Sequence, residues 1–473
     1  MHYIKSEDIN NSASGNIFQS VLIIVSIFSS LIMFLFGAPQ NGYDLLPVLP
    51  LSYTLLAIFS KNCWRRIPQN FGITILYSLE FIRLVISPLL VYASGYYCVI
   101  TYQATNNNGR GILLLFYEAI CIGLALRCKT NYKNNEHYNI DNTHSNNRMN
   151  TWMLVIVLLS IFIGVMAPEI FSGYRTIAGL FTDIMYTSIE GIQTTSAHLT
   201  SRTGKFLVVT GNYVFKVVRI LLPAYVLVVL RNRLAKRYKI ICYIVILSPF
   251  LFVDGTIARS IYYTIFLLIL YYQLYGKDIR KMTVPIVLSA IFVVIYFVTR
   301  FYVSGGIGAL NYFANKSIDY FAGANIVGGV FNLPSDLEYR FRYYLYDLLR
   351  IVPYANTLFG LNSSDYLQSF FNLNNHVTGG QIPPTIGMSS YYLGIILAPL
   401  YSVIFARMCK KYGEKSIRTN NPYFRLIYTY ITFITALGIC MYSIDITLIT
   451  LSQVILPIYI IVNTSYPKCI NDR

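Results

Sequence analysis

Apolar residues along this chain are grouped in blocks, and short polar stretches separate the blocks from one end to the other. A block of about twenty residues, wound as an α-helix, matches the hydrocarbon thickness of a bilayer. Backbone in lipid must satisfy its own hydrogen bonds, which leaves helices or a closed barrel. The blocks lack strict alternation and are too long for barrel strands, so helices are expected. The pattern predicts about twelve spans, near 17–36, 44–60, 71–93, 111–127, 151–167, 206–230, 239–253, 261–275, 283–303, 391–407, 424–442 and 446–463. The expected fold is an all-α polytopic membrane protein in three parts. Residues 1–303 hold the first nine helices, 304–390 a large, partly helical outer loop, and 391–473 the last three helices and a tail.

Composition agrees. Of 473 residues, 55% are hydrophobic and 12% charged, with a mean hydropathy of +0.52; a soluble chain carries about twice that charged fraction. The net charge of +17 would suggest a nucleic-acid partner in a soluble protein, but its placement argues for none. Basic clusters fall on every second connection: Lys61, Arg65 and Arg66; Arg127, Lys129, Lys133 and Arg148; Arg231 to Lys239; Lys277, Arg280 and Lys281; Arg407 to Arg418. The positive-inside rule puts these connections, and both termini, in the cytoplasm. The Asn-rich stretch near 128–150 is then a cytoplasmic linker. The first apolar block lacks a small-residue cleavage site and is expected to be a retained span. The eight cysteines show neither metal-knuckle nor disulfide spacing.

Two outer connections are long, 168–205 and 304–390. Loops of that length are usually functional or disordered, and the second is rich in Tyr, Phe and Leu. Leu337, Phe341, Tyr344, Leu345, Leu348 and Leu349 fall at helical spacing, predicting an amphipathic helix along the outer membrane face. Arg340, Arg342 and Arg350 occupy its other sides.

Charges inside spans are expensive and face the bundle interior. Glu80 and Arg83 sit three apart in the third span and Glu118 in the fourth, a set suited to internal ion pairs. Lys216 and Arg219 in the sixth have no acid in their span, which suits an anionic ligand or a distant carboxylate. Arg259 follows Asp254 and Gly255 at the start of an apolar block. Glycine, free helix N–H groups and a guanidinium make a phosphate-binding mouth, although an arginine at an interface also snorkels to headgroups.

The stretch "DGTIARSIYYTIFLLILYY" resembles a helix start found in bacterial O-antigen polymerases and the related O-antigen ligases. "TGGQIPPTIGMSSYYLGIILAPLYS", with Gly380, Pro383 and Gly387, resembles the return segment that follows their large outer loop; "RLVISPLLVYAS" is of the same style. Many relatives carry an acid after the glycine of that segment; here Met388 follows Gly387. The resemblance implies a fold similar to the GT-C type of membrane glycosyltransferase. It implies a reaction that joins undecaprenyl-diphosphate-linked repeat units on the outer face of the bacterial cytoplasmic membrane, building a lipopolysaccharide, capsule or exopolysaccharide. A chain-length regulator and a flippase would be partners.

Such chemistry needs cations for the leaving diphosphate, and arginines supply them without a metal or other cofactor. Arg259 matches the motif best. Arg342 is next, because the family's loop arginine precedes a Pro and a Gly as Arg342 precedes Pro353 and Gly360; Arg340, Arg300, Lys216 and Arg219 complete the expected diphosphate contacts. For the acceptor hydroxyl a general base is expected. Topology leaves His198 and His376 outside, and His376 precedes the return segment where the ligases also carry a histidine. Asp254, Asp319 and Asp347 compete for the role. Asp336 and Glu338 have the spacing of metal-dependent relatives, but that spacing is common on helices and no metal is expected. The competing readings are a lipid-linked oligosaccharide flippase, disfavoured by the long loop and the lack of repeated halves, and an O-antigen ligase, which differs in its acceptor.

Overall fold

The computed structural model describes residues 3–37, 42–64, 70–95, 107–127, 143–167, 170, 174–176, 202–231, 236–254, 257–275, 279–303, 308–321, 323–376 and 381–466. In chain order its main helices are α1 (Tyr3–Phe36), α2 (Val48–Phe59), α3 (Phe71–Ala93) and α4 (Asn108–Arg127). Then come α5 (Thr143–Met166), α6 (Arg202–Leu230), α7 (Lys236–Leu251), α8 (Ile257–Tyr275) and α9 (Ile279–Val303). The long connection holds α10 (Ala309–Tyr320), α11 (Ala324–Gly329), α12 (Leu337–Leu349) and α13 (Leu367–Asn374). The chain closes with α14 (Thr385–Leu393), α15 (Leu400–Arg418), α16 (Pro422–Cys440) and α17 (Ile444–Ser465). Among the described residues the one sheet is a short antiparallel pair, β1 (Tyr174–Thr176) with β2 (Phe252–Asp254), Tyr174 opposite Asp254.

By length and composition this is a multi-pass helical membrane protein. Seven helices among the described residues are long and apolar enough to cross a bilayer, lying in α1, α3, α4, α5, α6, α16 and α17. Shorter apolar stretches in α2, α7 and α9 match three more expected spans, and α8 occupies the block over 261–275. The structure departs from the expected span at 391–407. There α14 stops at Gly394, whose φ of +79° suits glycine, and residues 395–399 form a turn before α15. Pro399, without an N–H, precedes the restart. The helix that follows carries Arg407, Lys410, Lys411, Lys415 and Arg418 and is amphipathic.

The chain divides into two units. The first comprises Met1–Lys133, Gly306–Ile417 and Ile431–Ser452. In it, α1 turns Phe28, Phe34 and Leu35 outward, as lipid contact requires, and its inner face is polar. Gln19 donates to the Ala57 carbonyl at 2.8 Å, and the Ser26 and Thr54 hydroxyls meet at 2.5 Å. Small residues let backbones touch: a Cβ on Gly111 of α4 would lie 2.1 Å from the Ala324 carbonyl oxygen of α11. Asn70 caps α3, accepting from the Ile73 N–H at 3.3 Å and donating to the Lys410 carbonyl at 3.2 Å. Lys410 in turn donates to the Leu126 carbonyl at 3.0 Å, one of the end carbonyls left open by α4. At the return segment, Thr385 donates its N–H to the Tyr442 carbonyl at 3.1 Å and its hydroxyl to the Gly438 carbonyl at 2.6 Å. These bonds tie the start of α14 to the end of α16 and the turn before α17.

The second unit comprises Asn134–Gly305, Arg418–Tyr430 and Gln453–Arg473. Phe250 is buried against Leu247, Ile261, Phe292, Val293 and Tyr296, which joins α7, α8 and α9. Arg425 donates to the carbonyls of Gln273 and Thr419 at 2.9 and 2.7 Å. The outward face of α5 carries Leu154, Ile161 and Val165, all exposed.

Candidate functional site

In the first unit, α12 gathers most of the chemistry of the long connection. It forms where expected, but its apolar stripe faces outward: Leu337 is 81% exposed and Phe341 67%, while Tyr343 and Asp347 are buried. Helical spacing defines a face without saying what the face meets. An outward apolar stripe suits an element lying at a membrane surface.

Asp347 is the centre of the buried side. The Tyr392 hydroxyl of α14 donates to its Oδ2, and Oδ1 is buried without a hydrogen bond of ordinary geometry. Burial, and then the like charge of Asp445, raise this carboxyl to about 7; Tyr392, Arg350 and the Leu367 amide pull the other way. A carboxyl poised there exchanges a proton near neutrality. Asp445, at the start of α17, accepts from Arg350 at 2.7 Å and from the Ser443 hydroxyl. The Arg350 guanidinium also lies 4.5 Å from the centre of the Tyr366 ring. Arg350, expected on a solvated helix side, therefore has a one-third exposed side chain and a nearly buried acidic partner.

The other arginines of α12 flank this centre. Arg340 lies 5.8 Å from the Tyr391 ring. Arg342 is exposed, 3.6 Å from the Asp365 carboxylate and 5.4 Å from the Tyr346 ring. One helix and its C-cap thus carry three guanidiniums and a buried acid, each guanidinium lying against a tyrosine ring. Asp336 and Glu338 are exposed at the N-terminus of α12, where carboxylates complement the helix dipole.

His376 sits at the end of α13, exposed, with a φ of +51°. That backbone is the left-handed turn that stops a helix, so a local structural reason accounts for its place. Asp319 on α10 is held by Lys316 at 3.3 Å and by Gln381 of the return segment at 2.9 Å; burial raises its carboxyl. Pro383 and Gly387 are buried in that segment, and a Cβ on Gly387 would lie 3.0 Å from Val330 Cγ2, which explains a glycine there. Gly380 lies outside the described residues.

The remaining expected site residues fall in the second unit. Arg259 is exposed in the first turn of α8. One turn further, Tyr263 lies beneath the Arg219 guanidinium at 4.3 Å, and Lys216 lies over Tyr213 at 5.6 Å. Asp254 pairs through its backbone in β2 and Arg300 lies on α9; the side chains of both are outside the described residues, as are Gly255 and His198. The sequence reading passed over Asp445 and Tyr392, one at the edge of an apolar block and the other inside an apparent span. Only folding brings them to Asp347.

No family model, curated protein or solved structure matches this chain.

Proposed function

We propose that the chain is a metal-independent, GT-C-like membrane glycosyltransferase that polymerises undecaprenyl-diphosphate-linked oligosaccharide units on the outer face of a bacterial cytoplasmic membrane. The observation that carries this reading is Asp347: a carboxyl raised to about 7 on a helix that also presents Arg340, Arg342 and Arg350. Asp347 is the general base, taking the proton of the acceptor hydroxyl as the sugar is transferred. Arg342, exposed, and Arg340, half-buried, receive the diphosphate, whose bridging oxygen gains charge as the glycosidic bond breaks; guanidinium binds phosphate in bidentate fashion and never loses its charge. Asp445 holds Arg350 and keeps a negative charge near Asp347, which favours the proton-accepting role near neutrality. Tyr346, half-buried beside Arg342, and the exposed Tyr339 of the same helix offer aromatic surface for a sugar. Within the second unit, Arg259, Arg219 and Lys216 are further cations suited to a phosphate.

The test is gel analysis of surface glycan from a deletion strain, with the strain complemented by the wild-type chain as the control. Loss of the ladder with retention of a single unit marks a polymerase. Loss of all surface glycan marks a ligase or a flippase, and sinks this reading.

A further inference from the structure

We propose that Glu80, Arg83 and Glu118 form a proton-binding site inside the membrane region of the first unit, with Glu80 carrying the proton and Glu118 paired to Arg83. Glu80 and Arg83 lie three apart on α3 and Glu118 on α4, and each side chain is at most 2% exposed. Arg83 Nη1 lies 3.0 Å from Glu118 Oε2 and 3.6 Å from Glu80 Oε1.

Charge balance drives the inference. Two carboxylates face one guanidinium, so the fully ionised cluster would bury a net negative charge. Among the described residues, the other groups that face it supply no cation. Ser402 of α15 donates to Glu118, Cys440 of α16 donates to Glu80 at 3.5 Å, and the nearby Tyr53 of α2 donates to the Tyr77 carbonyl at 3.4 Å. An uncompensated charge away from water is costly by several kcal/mol. One added positive charge removes it. A metal ion would need a shell of oxygen donors, whereas Glu80 has a thiol as its second neighbour, and no metal-holding group occurs among the described residues. A proton needs only the carboxylate oxygen: Glu80 takes up H⁺ to become the neutral acid, and no other bond changes.

The two glutamates are not equivalent. Glu118 has the shorter contact with Arg83 and a hydroxyl donor, both of which favour an anion. Glu80 has the longer contact and a weak thiol donor.

A route for exchange adjoins the cluster. Over Ile82–Ile86, α3 widens into a π-helix, a distortion that recurs at functional sites. Beside it a water-sized cavity is lined by Arg83, Ser87, Tyr43, Ile318, Gly323 and Ala324. None of the three Arg83 nitrogens makes a hydrogen bond of ordinary geometry, so N–H groups remain for a water there. That water would link the cluster to Ile318, Gly323 and Ala324 of the long connection.

The test uses the full-length protein in detergent and infrared spectroscopy. At about pH 8 Asp347 is mostly ionised, and ordinary Asp and Glu side chains, which titrate at about 4, are carboxylates. The wild-type protein should still show the C=O stretch of a buried carboxylic acid; its absence overturns the proposal. Glu80→Gln should remove the band while keeping the fold, because the amide mimics the protonated acid. Glu118→Gln should also remove it, since Glu80 then pairs with Arg83 as an anion. A band that survives both substitutions belongs elsewhere and overturns the assignment. Thermal stability that rises with sodium at fixed pH and ionic strength, without the band, would mark a metal-cation site instead.

Discussion

Asp347 owes its character to position. Leu337, Phe341, Arg342 and Leu345 of α12 are exposed, whereas Asp347 is 5% exposed, under Tyr392 and beside Asp445. In the proposed reaction the base must be ionised, so transfer should rise with pH through about 7. Asp347→Asn should lower the rate of transfer about a hundred-fold to ten-thousand-fold and remove that limb of the profile, measured with purified protein and lipid-linked substrate. His376→Ala is the control that separates the two candidate bases. With His376 serving mainly as a helix stop, its loss should leave the pH limb in place; a limb lost with His376 and kept with Asn at 347 would transfer the role to the histidine. Stability responds in the opposite sense. The folded-state value lies above the unfolded one, so folded protein holds a proton that the unfolded chain releases. The contribution is fully present below about pH 4 and is lost as pH rises to about 7. Thermal unfolding of the wild type in detergent should therefore show a falling midpoint over that window, and Asp347→Asn should flatten it.

Helices were largely legible because hydropathy is a local property: a block of apolar residues is enough to mark α1, α3, α5 or α16. What hydropathy does not register is a backbone turn. The block at 391–407 is uninterrupted in apolar character, yet Gly394 divides it into the end of α14 and a turn before α15. The helix at 337–349 was legible from its spacing, and its exposed Leu337, Phe341 and Leu345 agree with the surface-lying helix that spacing predicts. The site was half legible. Arg340, Arg342 and Asp347 announce themselves as charges on one predicted helix, but Tyr392 and Asp445 reach them only through long-range packing. Close packing of elements gives a sharper test. Since a Cβ at Gly111 would lie 2.1 Å from the Ala324 backbone oxygen, α4 and α11 must separate to accept one. Gly111→Ala should destabilise the protein by about 1–3 kcal/mol, read as a lower thermal midpoint in detergent. Gly109→Ala, on the same helix with only Leu45 Cδ1 at 3.8 Å, should be close to neutral. Equal effects of the two would show that helix propensity, and not the close approach, governs α4.

For the molecule as a whole, the proposed chemistry depends on which side of the membrane the Asp347 site occupies. Arg127, Lys129, Lys133 and Arg148 belong to a connection expected in the cytoplasm, and the 304–390 connection is expected on the other side. The proposed polymerisation takes place outside, so it requires Asp347 on that side. Ser364 is exposed and lies beside Asp365, the partner of Arg342, which makes it a reporter for this face. Ser364→Cys should react with a membrane-impermeant maleimide in intact cells, measured against the labelling of the native cysteines alone. Ile140→Cys, in the Asn-rich stretch, should react only after permeabilisation. Both sites labelled from the same side would contradict the alternation of basic connections. Ser364→Cys reacting only after permeabilisation would put the arginines and Asp347 in the cytoplasm. The acid and the guanidiniums could still bind a phosphorylated ligand there, but they could not serve polymerisation on the outer face.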